Sequence, residues 1–136
     1  MTTMKSIKTL LAALFCVFAL SSCSNHKLNG EWKVVEINGI AVGETLNEPF
    51  LNIADGKYNG NTSVNYINGE VKICPFGCSV EFEDGACTRM AADPYSMEME
   101  HSFLEALDDV EKFTLEGDVV LLKDEHDIVL MKLARK

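Results

Sequence analysis

The fold is decided where the apolar pattern changes its period, in the stretch GACTRMAADPYSMEMEHSFLEAL (residues 85–107). Before this stretch, apolar and polar residues alternate as in half-buried strands, whereas within it apolar residues recur every three to four positions. Asp93 is a typical helix cap, and Pro94 suits the first helical position, where a missing N–H costs nothing. The stretch therefore predicts a junction at which a strand passes into a helix.

Two rows of side chains predict the buried face of this helix. They are Met97, His101, Leu104 and Leu107 in one row, and Met99, Phe103, Ala106 and Val110 in the next. Together the rows form a wide apolar stripe, three to four turns long. This pattern places His101 on the apolar side of the helix.

The rest of the chain after residue 28 is typical of short strands. Strands are predicted at residues 31–37, 50–54, 57–66, 70–73, 80–83, 112–115, 119–123 and 128–133. Asn38-Gly39, Asp55-Gly56 and Asn68-Gly69 are strong turn signals, because Asn, Asp and Gly tolerate positive φ. Many short strands and one helix predict an α+β fold, with a small antiparallel, barrel-like sheet packed on one main α-helix.

The N-terminus is typical of a lipoprotein signal peptide. Lys5 and Lys8 precede an uncharged run at residues 10–20, which is shorter than the roughly 20 residues that cross a bilayer but suits secretion. The next four residues, Leu20-Ser21-Ser22-Cys23, resemble a bacterial lipobox, whose cysteine becomes the lipid-bearing N-terminus. The alternative is an ordinary cleaved signal with a chance cysteine.

The lipobox divides the chain into three parts. We expect a signal peptide at residues 1–22, a lipidated Cys23 with a short tether at residues 23–28, and one domain at residues 29–136. Each buried lipid CH₂ contributes about 0.8 kcal/mol, so several acyl chains, palmitate among them, would hold the protein on a membrane. Ser24 and Asn25 lack the Asp typical of inner-membrane retention. We therefore expect a protein anchored in the outer membrane and facing the periplasm.

The charge balance argues against two classes of partner. All 21 acidic residues follow Cys23, whereas two of the 12 basic residues, Lys5 and Lys8, precede it. The mature chain therefore has ten basic and 21 acidic residues, a net charge of −11. Such a surface repels nucleic acid and anionic lipid headgroups, so we expect no nucleic-acid partner, and contact with the membrane only through the lipid.

Three segments occur in the order found in the META-domain family. Residues 29–39 (NGEWKVVEING) resemble its opening, residues 60–65 (GNTSVN) its Gly-Cys-Asn motif, with Asn65 as the asparagine, and residues 88–92 (TRMAA) its Thr-Arg-Met-Ala-Cys motif. The similarity extends to about residue 133 and points to the HslJ-like envelope lipoproteins of that family. The resemblance implies a non-catalytic protein with no cofactor, linked with heat induction and antibiotic tolerance.

The cysteines depart from the family pattern. The two motif cysteines of the family fall on Val64 and Ala92, and the chain has Cys74, Cys78 and Cys87 instead. An oxidising compartment favours a disulfide among these three. The two pairings expected are Cys78–Cys87, which would staple a hairpin, and Cys74–Cys78, which would close a small ring.

Catalysis and metal binding are alternatives that the sequence supports weakly. Cys87 could act as a nucleophile with His101 or His126 as base, but no sequence motif brings them together. Cys74, Cys78, Cys87 and His101 could supply four zinc ligands, although an oxidising compartment opposes this. The acidic cluster around His126 is most simply a solvated hairpin tip. We therefore expect no enzyme activity and no metal site.

Arg89 is one of two arginines in an acidic chain. It could orient the helix or pair with the carboxylate of Glu98 or Glu100, or it could contact a partner's carboxylate.

Two functions fit these observations. The first is a stress-response or envelope-maintenance binding module, which takes a protein at an exposed strand edge or a small apolar ligand between helix and sheet. The second is an inhibitor of a basic enzyme such as lysozyme, attracted by the charge of −11.

Overall fold

The computed structural model of the protein describes residues 28–75 and 77–136. These residues form ten strands and one helix: β1 (Gly30–Ile37), β2 (Ile40–Ala41), β3 (Phe50–Ala54), β4 (Lys57–Asn61), β5 (Tyr66–Ile73), β6 (Val80–Phe82), β7 (Ala86–Cys87), α1 (Pro94–Asp109), β8 (Lys112–Glu116), β9 (Val119–Lys123) and β10 (Val129–Arg135). The predicted α+β class is confirmed. No helix in this part of the chain combines the length and the hydropathy needed to cross a membrane.

The first two predicted turns are confirmed. Asn38 and Gly39 have φ of 52° and 79° between β1 and β2, and Asp55 and Gly56 have φ of 52° and 75° between β3 and β4. Positive φ at both central positions gives the turn a twist that matches the flanking strands. These two-residue loops fix the pairing register, with Ile37 opposite Ile40 and Ala54 opposite Lys57.

The predicted turn at Asn68-Gly69 is wrong. Both residues lie inside β5, where Gly69 pairs with Tyr58 of β4. A Cβ at position 69 would come within 2.6–2.7 Å of three atoms of the Tyr58 side chain, so the glycine makes room for that ring instead of turning the chain. The reversal between β4 and β5 occurs earlier, at residues 62–65, in a loop that is buried throughout.

The strands form a barrel that is nearly closed. Their order is β6-β5-β4-β3-β1-β10-β9-β8, and the pairs along this order are antiparallel. The two ends of the sheet meet at the Ser79–Lys112 bridge, where Val80 N–H donates to Glu111 C=O (3.0 Å) and Phe113 N–H donates to Cys78 C=O (2.9 Å). Because the ends are joined, the main sheet offers no long unpaired edge to another chain.

Helix α1 packs over this barrel and completes its core. Trp32, Phe103 and Phe113 are almost completely buried, and the Trp32 indole N–H donates to Leu28 C=O at 2.8 Å. Leu28, the last residue of the predicted tether, is itself fully buried. Burial of each such large apolar side chain stabilises the fold by roughly 2–3 kcal/mol, so Leu28 belongs to the core of the domain.

Candidate functional site

The segment between Gly85 and Met90 joins the helix to the barrel. Ala86 and Cys87 form β7, which pairs with Asn68 and Ile67 of β5. Gly85 is required here because a Cβ at this position would overlap the Asn68 carbonyl oxygen. The segment is therefore the strand-to-helix junction that the sequence predicts, and it has two neighbours: a buried polar network and an open groove.

The polar network is centred on Asn65, the residue that matches the family asparagine. Its amide nitrogen donates to the Glu100 carboxylate (2.6 Å) and to the Met90 carbonyl (3.2 Å). Its amide oxygen accepts from the Thr88 hydroxyl (2.9 Å) and the Met90 N–H (2.6 Å). Asn65 thus ties the junction segment and helix α1 to the loop before β5.

Glu100 is the buried acidic member of this network, whereas the sequence predicted it only as a possible ion-pair partner of Arg89. The carboxylate also accepts from the Thr62 hydroxyl at 2.9 Å, and the residue is only 8% exposed. The buried helix positions are Ser96, Met99, Glu100, Phe103, Ala106 and Leu107. At this spacing of three and four residues, Glu100 falls among the buried positions of the helix. A glutamate on the apolar face needs hydrogen-bond donors, and this is the sequence signal that could have revealed the network.

The loop that receives the helix holds a residue with an unusual backbone. Ser63 has φ of 95°, a conformation that residues other than glycine seldom adopt. Its N–H is bound by the Asn61 side chain (2.8 Å), and its carbonyl accepts from both the backbone and the side chain of Asn47 (3.0 and 3.2 Å). These bonds hold the strained residue in place and make the loop a rigid support for α1.

On the other side of the junction, an open groove separates the second half of α1 from the barrel. We call it the helix–β7 groove. It has a volume of about 460 Å³ and is lined by Tyr58, Ile67, Phe82, Asp84, Gly85, Ala86, Cys87, His101, Leu104, Glu105, Leu107 and Asp108. The Tyr58 and Phe82 rings pack edge to face with centroids 5.5 Å apart. Its size and its largely apolar lining are those of a small-molecule site.

Cys87 and His101 both line this groove, but neither is prepared for catalysis. Although Cys87 is exposed as a residue, partial burial of its thiol raises the pKa, the Glu100 carboxylate raises it further, and Arg89 lowers it. A thiol with a raised pKa stays protonated at neutral pH and is a poor nucleophile. The predicted place of His101 on the apolar side is wrong: the side chain is 80% exposed and lies 3.3 Å from the Glu105 carboxylate.

Arg89 is exposed and lies outside the groove lining. Among the described residues it forms no ion pair, so the expected pairing with Glu98 or Glu100 is not formed. The Glu100 carboxylate is already bound by Thr62 and Asn65. The guanidinium therefore faces solvent beside the groove, where a partner could reach it.

Neither predicted cysteine pair is formed. Cys74 and Cys87 carry free thiols, and Cys78 takes part in a disulfide with neither of them. Cys87 pairs with Ile67 on β5, whereas Val80, two residues after Cys78, pairs with Ile73. Six residues of strand span about 20 Å, far beyond the roughly 7 Å that a disulfide allows between Cα atoms. Cys74 is exposed beside the turn, while Cys78 is half-buried against the core.

The remaining candidates do not converge on a site. Cys74 lies in a separate depression beside Ser79 and Glu111, away from Cys87 and His101. The described residues contain no group of three or more Cys, His, Asp or Glu side chains placed to hold a metal. His126 lies in the exposed β9–β10 turn, where Asp124 accepts from its N–H (2.8 Å). Cys23, the predicted lipid site, lies outside the described residues.

Solved structures of other proteins have a similar fold. One is a DUF4847-family protein from Bacteroides vulgatus, with a TM-score of 0.60 and 18% identity over 79% of this chain and 93% of that chain. Another is a protein from Burkholderia xenovorans, with a TM-score of 0.62 and 14% identity over 79% of this chain and 82% of that chain. At these identities the likeness establishes the fold alone. No curated protein matches the chain.

The sequence profile of the META domain matches residues 25–136. This match covers the whole described barrel, including the Asn65 loop and the junction segment. The chain therefore belongs to the META domain family, as the sequence motifs predicted.

Proposed function

We propose that this META-domain protein is a non-catalytic binding module of the cell envelope, which holds a small apolar or amphipathic molecule in the helix–β7 groove. The observation that carries the proposal is the groove itself, about 460 Å³ in volume with Tyr58, Ile67, Phe82 and Leu107 in its lining. The near closure of the barrel at Ser79–Lys112 supports a groove ligand over a partner that adds a strand.

The arrangement of the site also favours binding over chemistry. The Asn65–Glu100 network holds one side of the junction segment rigid, so the groove on its other side is largely preformed. The reactive groups that line the groove, Cys87 and His101, are a protonated thiol and a solvent-exposed imidazole. Uptake of a ligand needs only the apolar lining.

The experiment measures binding of a neutral apolar dye, Nile red, to the unlipidated chain of residues 23–136. Leu104, which is 37% exposed at the groove, is replaced by alanine. Loss of its contact is expected to weaken binding roughly tenfold, because about 1.4 kcal/mol corresponds to a factor of ten. The same substitution at Leu46, which is 59% exposed and lies outside the groove, is the matched control. Equal affinities of the two variants would contradict binding in this groove.

We further propose that a lipid at Cys23 anchors the protein in the outer membrane, with the domain in the periplasm, where it serves envelope maintenance under stress. The lipobox Leu20-Ser21-Ser22-Cys23 supports the anchor. Radiolabelled palmitate is expected to enter the wild-type chain, and C23A is expected to leave the membrane fraction. Lipidation occupies the Cys23 thiol. A count of the free thiols on the anchored protein therefore tests, independently of the label, whether Cys23 carries the lipid.

Inhibition of a basic enzyme is the second candidate function, and its support is the mature charge of −11. Electrostatic attraction of this kind weakens as salt rises. An assay of lysozyme activity at low and at physiological salt tests it, and full activity at both would exclude this function.

A further inference from the structure

The groove has a negatively charged rim that the apolar lining does not explain. Asp84, Glu105 and Asp108 line it, and all three are exposed. Among the described residues none of them pairs with a lysine or arginine, and Glu105 contacts only the His101 imidazole. His101 is the one basic side chain in the lining, so the carboxylates outnumber it.

Beneath this rim the floor is apolar and partly aromatic. Tyr58, Ile67, Phe82 and Leu107 are each no more than 5% exposed. The Tyr58 hydroxyl donates to the Glu83 carbonyl at 2.6 Å, so this polar group already has a hydrogen-bond partner and needs none from a ligand. Burial of the phenol and the Asp84 carboxylate raise the pKa of Tyr58, which keeps the ring neutral. The groove thus combines a neutral floor with an anionic rim.

We propose that the helix–β7 groove binds an amphipathic cation: an apolar or aromatic body that lies on the floor and an ammonium group at the rim, where Asp84, Glu105 and Asp108 make the potential negative. This inference rests on the proposed function of the groove. The charge complementarity carries it, because an anionic ligand would meet three carboxylates at the rim, of which only Glu105 has an ion-pair partner among the described residues, the His101 imidazole. The mature charge of −11 adds to the attraction of any cation toward the domain.

The experiment compares three ligands with one body and different charges: 4-phenylbutylamine, 4-phenylbutanol and 4-phenylbutyrate. Affinities are measured by calorimetry on the unlipidated chain of residues 23–136 at low salt. The amine is expected to bind about tenfold more tightly than the carboxylate, with the alcohol between them, since exposed charge pairs each contribute a fraction of a kcal/mol. The difference is expected to shrink as salt rises.

Variants assign the preference to the rim. D84N, E105Q and D108N together remove three charges from the groove, and this triple variant is expected to bind the three ligands with similar affinity. The matched control removes three exposed charges elsewhere, by E31Q, E116Q and D118N. It is expected to keep most of the preference for the amine. All six positions are exposed, so the fold is expected to survive in both variants.

Alkylation of Cys74 and Cys87, the free thiols among the described residues, locates the ligand. The Cys87 thiol lines the groove, whereas the Cys74 thiol lies outside it. The amine is expected to slow the reaction of Cys87 with iodoacetamide at about pH 8.5, near the ordinary pKa of a thiol, and to leave the reaction of Cys74 unchanged. Slowing of neither thiol would overturn the assignment of the ligand to this groove.

The outcomes separate this inference from the proposed function. Equal binding of all three ligands, with Cys87 protected, would overturn the cation preference and leave the groove a binding site. Equal loss of preference in the rim variant and the control would also overturn it, since the net charge alone would then account for the selectivity. Failure of all three ligands and of Nile red to bind would overturn both proposals.

Discussion

The two halves of helix α1 meet the barrel in different ways. The first half is fixed by polar contacts: Asp93 caps it, and Glu100 binds Thr62 and Asn65 beneath it. The second half packs Phe103 into the core but leaves Leu104 and its neighbours beside an open groove. One short segment, residues 85–90, serves both halves, because its end ties down the helix and its start lines the groove.

The largest expected effect tests the packed side of the second half. F103A removes a fully buried ring, and we expect it to lower the free energy of unfolding by about 3–5 kcal/mol. L104A, one position later, removes an apolar side chain that is 37% exposed, and we expect a loss below about 1 kcal/mol. Urea unfolding of both variants measures the two values. Similar losses would mean that the groove beside Leu104 is closed in solution.

The next effect tests the polar side. N65A removes four hydrogen bonds and leaves the buried Glu100 carboxylate without one donor. We expect a loss of about 2–4 kcal/mol, since each buried group left unsatisfied costs roughly 1–3 kcal/mol. N59A is the control, because Asn59 is exposed on β4 and makes only one side-chain bond, to Asn52. A loss for N65A as small as that for N59A would contradict the supporting role of the network.

A smaller effect concerns the start of the helix. The Ser96 N–H and hydroxyl bind the Asp93 carboxylate (3.0 and 2.7 Å), and these bonds lower its pKa. A carboxyl whose pKa is lower in the folded state stabilises the fold above its unfolded pKa, and this stabilisation is lost as pH falls through the folded pKa. We therefore expect D93A to lower the melting temperature by a few degrees at pH 7 and by less at about pH 3.

The control for this prediction is D93S, because serine also caps helices but does not titrate. We expect D93S to melt close to the wild-type protein at pH 7, and its difference from D93A to persist in acid. A difference between D93A and wild type that stays constant with pH would show that the cap acts without its charge.

The sequence predicted those parts of the fold that depend on local backbone chemistry. Asn38-Gly39, Asp55-Gly56 and the Asp93 cap are confirmed because positive φ and capping are properties of a few adjacent residues. The turn predicted at Asn68-Gly69 is wrong because the glycine at position 69 instead makes room for the Tyr58 side chain, which lies on another strand. Contacts between distant segments are not encoded in a dipeptide.

The site was harder to predict for the same reason. Cys87 and His101 share a groove only because β7 and α1 flank it together. The burial of Glu100 depends on a loop 35 residues earlier in the chain, at Asn65. The cysteine pairs failed because spacing along the chain says little about position along β5. The apolar periodicity predicted the helix correctly but misplaced its buried face. The prediction put His101 on the buried face and left Glu100 off it, whereas His101 is exposed and Glu100 is buried.

The smallest effect tests how the exposed Arg89 relates to the groove. The Arg89 charge lowers the pKa of the Cys87 thiol, against the raising effects of burial and of Glu100. R89Q is expected to raise that pKa further and to slow Cys87 alkylation at about pH 8.5, near an ordinary thiol pKa, by up to roughly twofold, because water and salt screen exposed charges. The stability of R89Q is expected to stay within about 0.5 kcal/mol of wild type.

K72Q is the control, because it removes a positive charge that pairs with Glu83 away from the groove lining. If R89Q and K72Q change the reaction equally, Arg89 acts only through net charge, whereas an effect of R89Q alone places its guanidinium close enough to Cys87 to act on a group that lines the groove.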